Sequence, residues 1–317
     1  MLDWEERRQL VKVANLYYFE GLTQSQVASK IGVSRPIVSK LLQKAKDVGI
    51  VEIYIKDESA HTVELEQRME DRFGLKDVIV VPTAGYSAER SKRAVARAGA
   101  YFLSKNLKEV KKLGISWGTT LAQLVEEYPF SKHEDIKIVP LEGGMGRQYV
   151  EIHANQLAYE MAKKFNGKCS YLYAPAIVET EELKERLMDM EDIKAVLEEG
   201  KQVDKALIGI GNPHENSTLK KIGYLQDEDI DHLRETGAVG DIGFRFFDEN
   251  GNPIKDSLND KVIGIPLEGL KEIKEVICVV EGTHKLESIR GALEGSYLDV
   301  LVIDEPTASR LLGIKGK

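Results

Sequence analysis

Along residues 3–20, Leu10, Val13, Ala14 and Tyr17 recur at the three-to-four-residue spacing of a helix with one buried face. The stretch TQSQVASKIGVSRPIVSKLLQKAK (23–46) then reads as two short helices joined by a tight turn. Thr23 and Gln26 have the spacing of a capping box. Val27, Ala28 and Ile31 make the first apolar face, and Gly32 stops that helix in the left-handed conformation, where a residue with a Cβ is strained. Ser34 is placed to cap the second helix. Pro36 sits in its first turn, whose N–H groups have no intrahelical partner. Val38, Leu41, Leu42, Ala45 and Val48 form the buried stripe, and small Ala28 permits the close crossing of a helix-turn-helix. After Gly49, IVEIYIKD alternates apolar and polar positions, the pattern of a strand and of one side of a small wing. A helix over 59–73 carries a Leu65, Met69, Phe73 stripe that fits either a contact between copies or packing on its own domain.

From Lys76 onward the period changes. Short aliphatic runs, DVIVVP (77–82), KLGISW (112–117), IKIVPL (136–141), SYLYAP (170–175), KALIGIG (205–211), KVIGIPL (261–267), EVICVV (275–280) and DVLVIDE (299–305), are the expected strands. Amphipathic stretches such as 87–106, 151–165 and 285–294 lie between them. That alternation predicts an α/β fold with a mostly parallel sheet covered on both faces. The domains expected are therefore a winged helix-turn-helix over 1–57, a linker helix over 58–75 and an α/β effector domain over 76–317.

Charge sharpens this division. The chain of 317 residues carries a net charge of −8, yet residues 1–56 hold nine Lys and Arg against six Asp and Glu, or +3, leaving −11 on the rest. A basic end and an acidic bulk suit a regulator that reads DNA locally better than a protein that coats it. Cys169 and Cys278 stand far apart with no CxxC, so a reducing cytoplasm is expected. The start MLDWEERRQL is too charged for a signal peptide, and no apolar run approaches the roughly 20 residues that span a bilayer. No histidine spacing suggests a metal, and neither a GxSxG elbow nor a Walker loop is present, so no cofactor is expected. GIGNPHEN (209–216) lacks the third glycine and following helix of a dinucleotide loop, and reads as a turn bordering a ligand.

The candidate chemistry falls in two places. Arg35, Ser39, Lys40, Gln43 and Lys44, with Lys46 at the margin, occupy the outer face of the second helix, where they can reach base edges or phosphates. Gln24, Ser34 and Pro36 at the helix starts complete the expected DNA-facing set. In a parallel sheet, ligands bind beyond the carboxyl ends of the strands. Four such ends stand out: Gly118, Thr119 and Thr120 in SWGTTLAQLV, Glu142, Gly143 and Gly144 in PLEGGMGR, Asp241 and Arg245 in GDIGFRFFDENG, and Lys285 in EGTHKLESIRGALEG. Hydroxyls and free N–H groups at a helix start suit a phosphate or carboxylate. A lysine at a helix N-terminus opposes the dipole unless an anion is also present.

With these residues in view the chain resembles the SorC family of sugar-binding transcriptional regulators, within the wider DeoR-like set. The resemblance rests on LYYFEGLTQSQVASKIGVSRPIVSKLLQKAKDVG, GISWGTTL, PLEGG, GDIGFRFFD and GALEG…LVIDEPTA, in that order. It implies an effector domain like the phosphosugar isomerases, acting as a sensor of a phosphorylated sugar in a homo-oligomer, a dimer or tetramer, on operator DNA. It further implies that Thr119 and Thr120 hold the phosphate with Lys285 as counter-charge. Gly143 and Gly144 would approach the ligand with backbone, and Asp241 would meet sugar hydroxyls. Two positions depart from the family pattern. Glu142 stands where regulators of deoxyribonucleoside use carry a lysine, so no imine is expected there, and Glu281 precedes Gly282 where small residues are usual. An isomerase or deaminase using Asp241, Glu142 and Asp304 as acid–base groups is the alternative. The absence of a His–carboxylate pair in the motifs argues for a sensor instead.

Overall fold

The computed structural model describes residues 4–51, 60–144 and 149–314, in two compact units, Met1–Ala60 and His61–Lys317. Beyond Val51, the strand expected over IVEIYIKD lies outside the described residues.

The first unit contains α1 (Trp4–Ala14), a π-helical turn (Asn15–Phe19), α2 (Gln24–Ile31) and α3 (Arg35–Asp47). Val13, Leu16, Val27, Ala28, Val38 and Leu42 form its core, with Tyr17, Ile31 and Leu41 packed around them. Thr23 and Gln26 make both bonds of the capping box, and Gly32 ends α2 at φ 74°. Three details depart from the helical reading. The π turn adds a residue to the last turn of the first helix, which buries Leu16 and leaves Phe19 88% exposed. Ser34 has the extended backbone of a cap, but its side chain accepts no capping bond. Of the two N–H groups it could serve, Pro36 has none and that of Ile37 goes to the Ser34 carbonyl at 3.0 Å. Val48 is 41% exposed because the helix has already ended there, with Val48 itself as the non-helical cap.

The second unit is built on one parallel sheet of seven strands: β1 (Asp77–Val81), β2 (Lys112–Ile115), β3 (Lys137–Pro140), β4 (Lys168–Cys169), β5 (Lys205–Ile208), β8 (Val276–Val280) and β9 (Val300–Asp304). Between β5 and β8 the chain forms a separate antiparallel hairpin, β6 (Gly240–Ile242) and β7 (Arg245–Phe247). The sheet order is β1-β9-β8-β5-β2-β3-β4. From β2 the chain winds outward through β3 and β4, then restarts at β5 on the other side of β2 and winds the opposite way through β8 and β9. The strand order therefore reverses between β2 and β5.

Helices cover both faces. Val78 and Val80 point into one core with Leu65 and Met69 of α4 (Ala60–Phe73), so the stripe of that helix packs on its own sheet. Ile79 and Val81 face the other core. That core is covered by α5 (Ala88–Lys105), α6 (Thr119–Glu127) and α7 (Ala154–Phe165), with side chains such as Leu103, Leu124 and Met161. Glu66 and Glu70 of α4 accept the outward N–H groups of Val80 and Val78, at 2.9 and 3.2 Å, and so cover the free edge of β1. No described helix is long and apolar enough to cross a membrane.

Two expected strands are absent as such. SYLYAP leaves the sheet after β4 because Asn155 takes both backbone groups of Leu172, as donor at 3.0 Å and acceptor at 2.9 Å. KVIGIPL makes only isolated bridges, Val262 with Ile177 and Gly264 with Glu142. Its carbonyls at Val262, Gly264 and Ile265 are taken by the Arg245 guanidinium instead of a ladder.

Candidate functional site

At the reversal point the loops after β2 and β5 diverge and leave an open cavity. One wall is the start of α6. Gly118 holds φ 131°, which only glycine adopts without strain, although a Cβ there would meet no neighbouring atom. The glycine thus serves the turn and not the space. It sets Thr119 and Thr120, with the unpaired N–H groups of a first helical turn, in the cavity wall. The loop after β8 uses the same device. Gly282, at φ 104°, starts the short turn Thr283–Lys285 that brings Lys285 to the opposite wall.

The hairpin supplies the third wall. Gly211, after β5, exchanges backbone bonds with Asp241 of β6 at 2.9 and 3.2 Å. A Cβ on Gly211 would lie 2.0 Å from Asp241 Oδ1, so its absence makes room for the carboxyl group. Burial pushes the Asp241 carboxyl up to about 7, against the pull of Lys285 and the Phe244 N–H. Burial also lowers the Lys285 ammonium, while Glu281 and Asp241 hold it up. Trp117 and Phe244 stack at 4.5 Å between ring centres behind this wall. The cavity adjoins a larger hollow that shares Thr119, Asn216, Thr218 and Lys285, with Lys92, Glu281, His284 and Asp304 further out.

Of the expected ligand residues, the structure thus brings together Gly118, Thr119, Thr120, Asp241 and Lys285. The other four lie elsewhere. Glu142 is buried behind the wall formed by Gly243, its Oε1 accepting the Ser116 hydroxyl at 2.9 Å. Burial pushes its carboxyl up to about 8. Gly143 is packed against chain, since a Cβ would fall 2.4 Å from the Pro175 carbonyl oxygen and 2.6 Å from that of Ala174. Gly144 donates to the Ala174 carbonyl at 2.9 Å and borders a different hollow beside His153 and Tyr159. Arg245 is a clasp: its guanidinium donates to the carbonyls of Asn259, Val262, Gly264 and Ile265 at 3.1 to 3.3 Å.

The turn GIGNPHEN does border the cavity, and Asn212 organises it. Its amide donates to the His284 carbonyl at 2.5 Å and its oxygen accepts the N–H groups of His214 and Glu215. The loops after β5 and β8 are thereby tied together. Ser217, Thr218, Lys92 and Lys221 also line these hollows; Ser217 and Thr218 continue the GIGNPHEN turn into a short helix, a signal the sequence offered, whereas Lys92 lies within α5 and Lys221 at the far end of that short helix, positions that no strand end marks.

In the first unit Arg35, Pro36, Ser39 and Lys40 are exposed on α3, with Ser34 at its cap, while Gln24 is half-buried at the start of α2. Gln43 donates to Asp47 at 2.9 Å, and Lys44 is ion-paired with Glu6. Among the described residues no group of three or more His, Cys, Asp or Glu could hold a metal ion.

An entirely parallel sheet with a polar, lysine-bearing cavity at its order reversal defines an α/β protein built for a small molecule, preceded in the chain by a small helical unit. The chain belongs to the sugar-binding domain family carried by the SorC and DeoR-type transcriptional regulators, with residues 57–313 matched. It is 33% identical over 313 residues to the deoxyribonucleoside regulator of Bacillus subtilis, covering 98% of this chain and 99% of that one. The crystal structure of the full-length sorbitol operon regulator SorC from Klebsiella pneumoniae matches with a TM-score of 0.77 and 30% identity, over 97% of this chain and 99% of the other. A DeoR family transcriptional regulator from Listeria monocytogenes is 43% identical over 79% of this chain and 99% of its own, with a TM-score of 0.76.

Proposed function

We propose that this protein is a DNA-binding transcriptional regulator of a carbohydrate-utilisation operon, and that non-covalent binding of a phosphorylated sugar changes its operator affinity. The observation that carries this reading is the meeting of Gly118–Thr120, Asp241 and Lys285 at the reversal of strand order. The α6 N-terminus offers N–H groups and two hydroxyls to a phosphate, with Lys285 as the compensating charge. Asp241 then accepts bonds from sugar hydroxyls. Glu142, buried and hydrogen-bonded to Ser116, has no amine with which to trap an aldehyde. The names of the relatives support both the regulatory role and a sugar-derived ligand.

On the DNA side, α2 and α3 form the helix-turn-helix of a winged module. Arg35 and Lys40 on the exposed face of α3 enter the major groove of an operator read by a dimer or tetramer. The protein acts as a sensor in the cytoplasm and not as an isomerase or deaminase. Calorimetry with a phosphorylated sugar and its free counterpart tests the ligand reading. Lys285→Ala is expected to weaken the phosphorylated ligand at least about tenfold, as loss of a charge-assisted bond worth about 1.5–3 kcal/mol implies. The free sugar and operator should bind as before. Equal losses for both sugars would remove Lys285 from the phosphate site.

A further inference from the structure

The cavity loop and the helix that leads to the N-terminal unit are joined by one carboxylate. Asp304 is the last residue of β9. Its Oδ1 accepts the N–H of Gly282 at 2.8 Å, on the turn that presents Lys285. Its Oδ2 accepts both the N–H and the hydroxyl of buried Thr307, at 3.1 and 2.7 Å, which starts the short helix Glu305–Leu311. That helix holds α4 near both ends: Glu305 meets His61 at 3.5 Å, and the Leu311 carbonyl accepts Arg72 Nη1 at 3.2 Å. From Ala60 the chain passes into the first unit.

We propose that Asp304 is the positioning residue through which occupancy of the cavity reaches α4, because its two oxygens join the Gly282–Lys285 turn to the helix that clasps α4. This rests on the reading of the cavity as the effector site. A ligand drawing on Lys285 moves the turn against the Gly282 bond. That bond shares its carboxylate with the cap of Glu305–Leu311, so a shift of the turn changes the seating of the helix. Coupling of this kind needs two arrangements that both sites bias. The Gly282–Lys285 turn is short and only partly buried, whereas the helix Glu305–Leu311 and α4 are seated in the core through Thr307, Ala308, Leu311, Leu65 and Met69, so a shift of the helix carries α4 with it.

Amide hydrogen exchange on the full chain tests the proposal, with inorganic phosphate as the probe. In the wild type, saturating phosphate is expected to slow exchange around 118–121 and 282–285 and also along 61–73, the last by about fivefold or more if the coupling is of usual allosteric size. Asp304→Asn retains an acceptor for Gly282 but turns an N–H₂ toward Thr307, so its cavity should still respond while the response of 61–73 is lost. Protection of 118–121 without any change at 61–73 in the wild type, or an unchanged 61–73 response in Asp304→Asn, overturns the relay and leaves the cavity reading intact. Absence of protection at 118–121 overturns the cavity reading. A second arm needs no ligand. Arg72→Met should speed exchange at 282–285 at least about fivefold relative to Arg68→Met, a reference on the same helix whose residue pairs with Glu64 at the surface. Equal rates in these two variants also overturn the relay.

Discussion

Asp241→Asn is the most discriminating perturbation of the site. The Asp241 carboxyl is buried against Gly211 and pushed from 3.8 to about 7. Between those values the folded protein keeps a proton that the unfolded chain has released. The favourable contribution is therefore complete below about pH 4 and is lost as the pH rises through about 7. Roughly three pH units at about 1.4 kcal/mol each set a ceiling near 4 kcal/mol on the loss. For a unit of this size that corresponds to a fall in Tm of up to roughly 8–16 °C, at about 2–4 °C per kcal/mol. An amide occupies the same space, still donates and accepts, and does not ionise. Thermal melts followed by Trp117, which stacks on Phe244 beside the site, should show the wild type losing stability from about pH 4 to 7. Asp241→Asn should lose markedly less, while Glu142, pushed up to about 8, and Glu281, also raised by burial, still contribute to the slope. A mutant whose Tm declines across that range as steeply as that of the wild type would refute the assignment of a proton to Asp241. Weaker binding of a sugar by the same variant would separately support its contact with hydroxyls.

Other substitutions distinguish packing roles from binding roles. Gly143→Ala should destabilise the second unit in urea by about 1–3 kcal/mol or more, since its Cβ would meet the Pro175 carbonyl; a loss of ligand affinity without that destabilisation would return Gly143 to the site. Arg245→Met leaves buried carbonyls without donors and should cost at least about 3 kcal/mol, read as a fall in Tm. Arg35→Ala with Lys40→Ala should weaken operator binding and reduce its salt dependence in a fluorescence anisotropy titration; an unchanged salt slope would show that α3 does not face the DNA phosphates.

The strands that were legible in the sequence are those whose neighbours ask nothing but bulk. VICVV is buried at every position, and any aliphatic run of that length suits the middle of a parallel sheet. KVIGIPL is also rich in aliphatics, but Gly264 and Pro266 interrupt it, and its carbonyls are claimed by Arg245 from the β7 strand, a long-range partner no local pattern records. The glycine signals divide in the same way. At Gly118 and Gly282 glycine serves a positive φ next to the cavity wall, whereas at Gly143 it serves close passage beside Pro175. Both uses leave the same letter, so the sequence placed the glycine pair of PLEGG in the site where the fold uses it for packing. Asp241 was readable as an acid at a strand end, but its raised pKa depends on Gly211, thirty residues earlier in the chain.

The position of β1 at the sheet edge bears on how the protein is made. Its single strand neighbour is β9, the last strand of the chain, so a nascent protein can fold its first unit long before β1 has anything to pair with. At about 5–20 residues per second, the ribosome takes roughly ten to forty seconds to travel from one strand to the other. Throughout that interval α4 has no finished sheet to cover. A polypeptide released before β9 would therefore carry a folded first unit and a sheet whose β1 edge is unpaired.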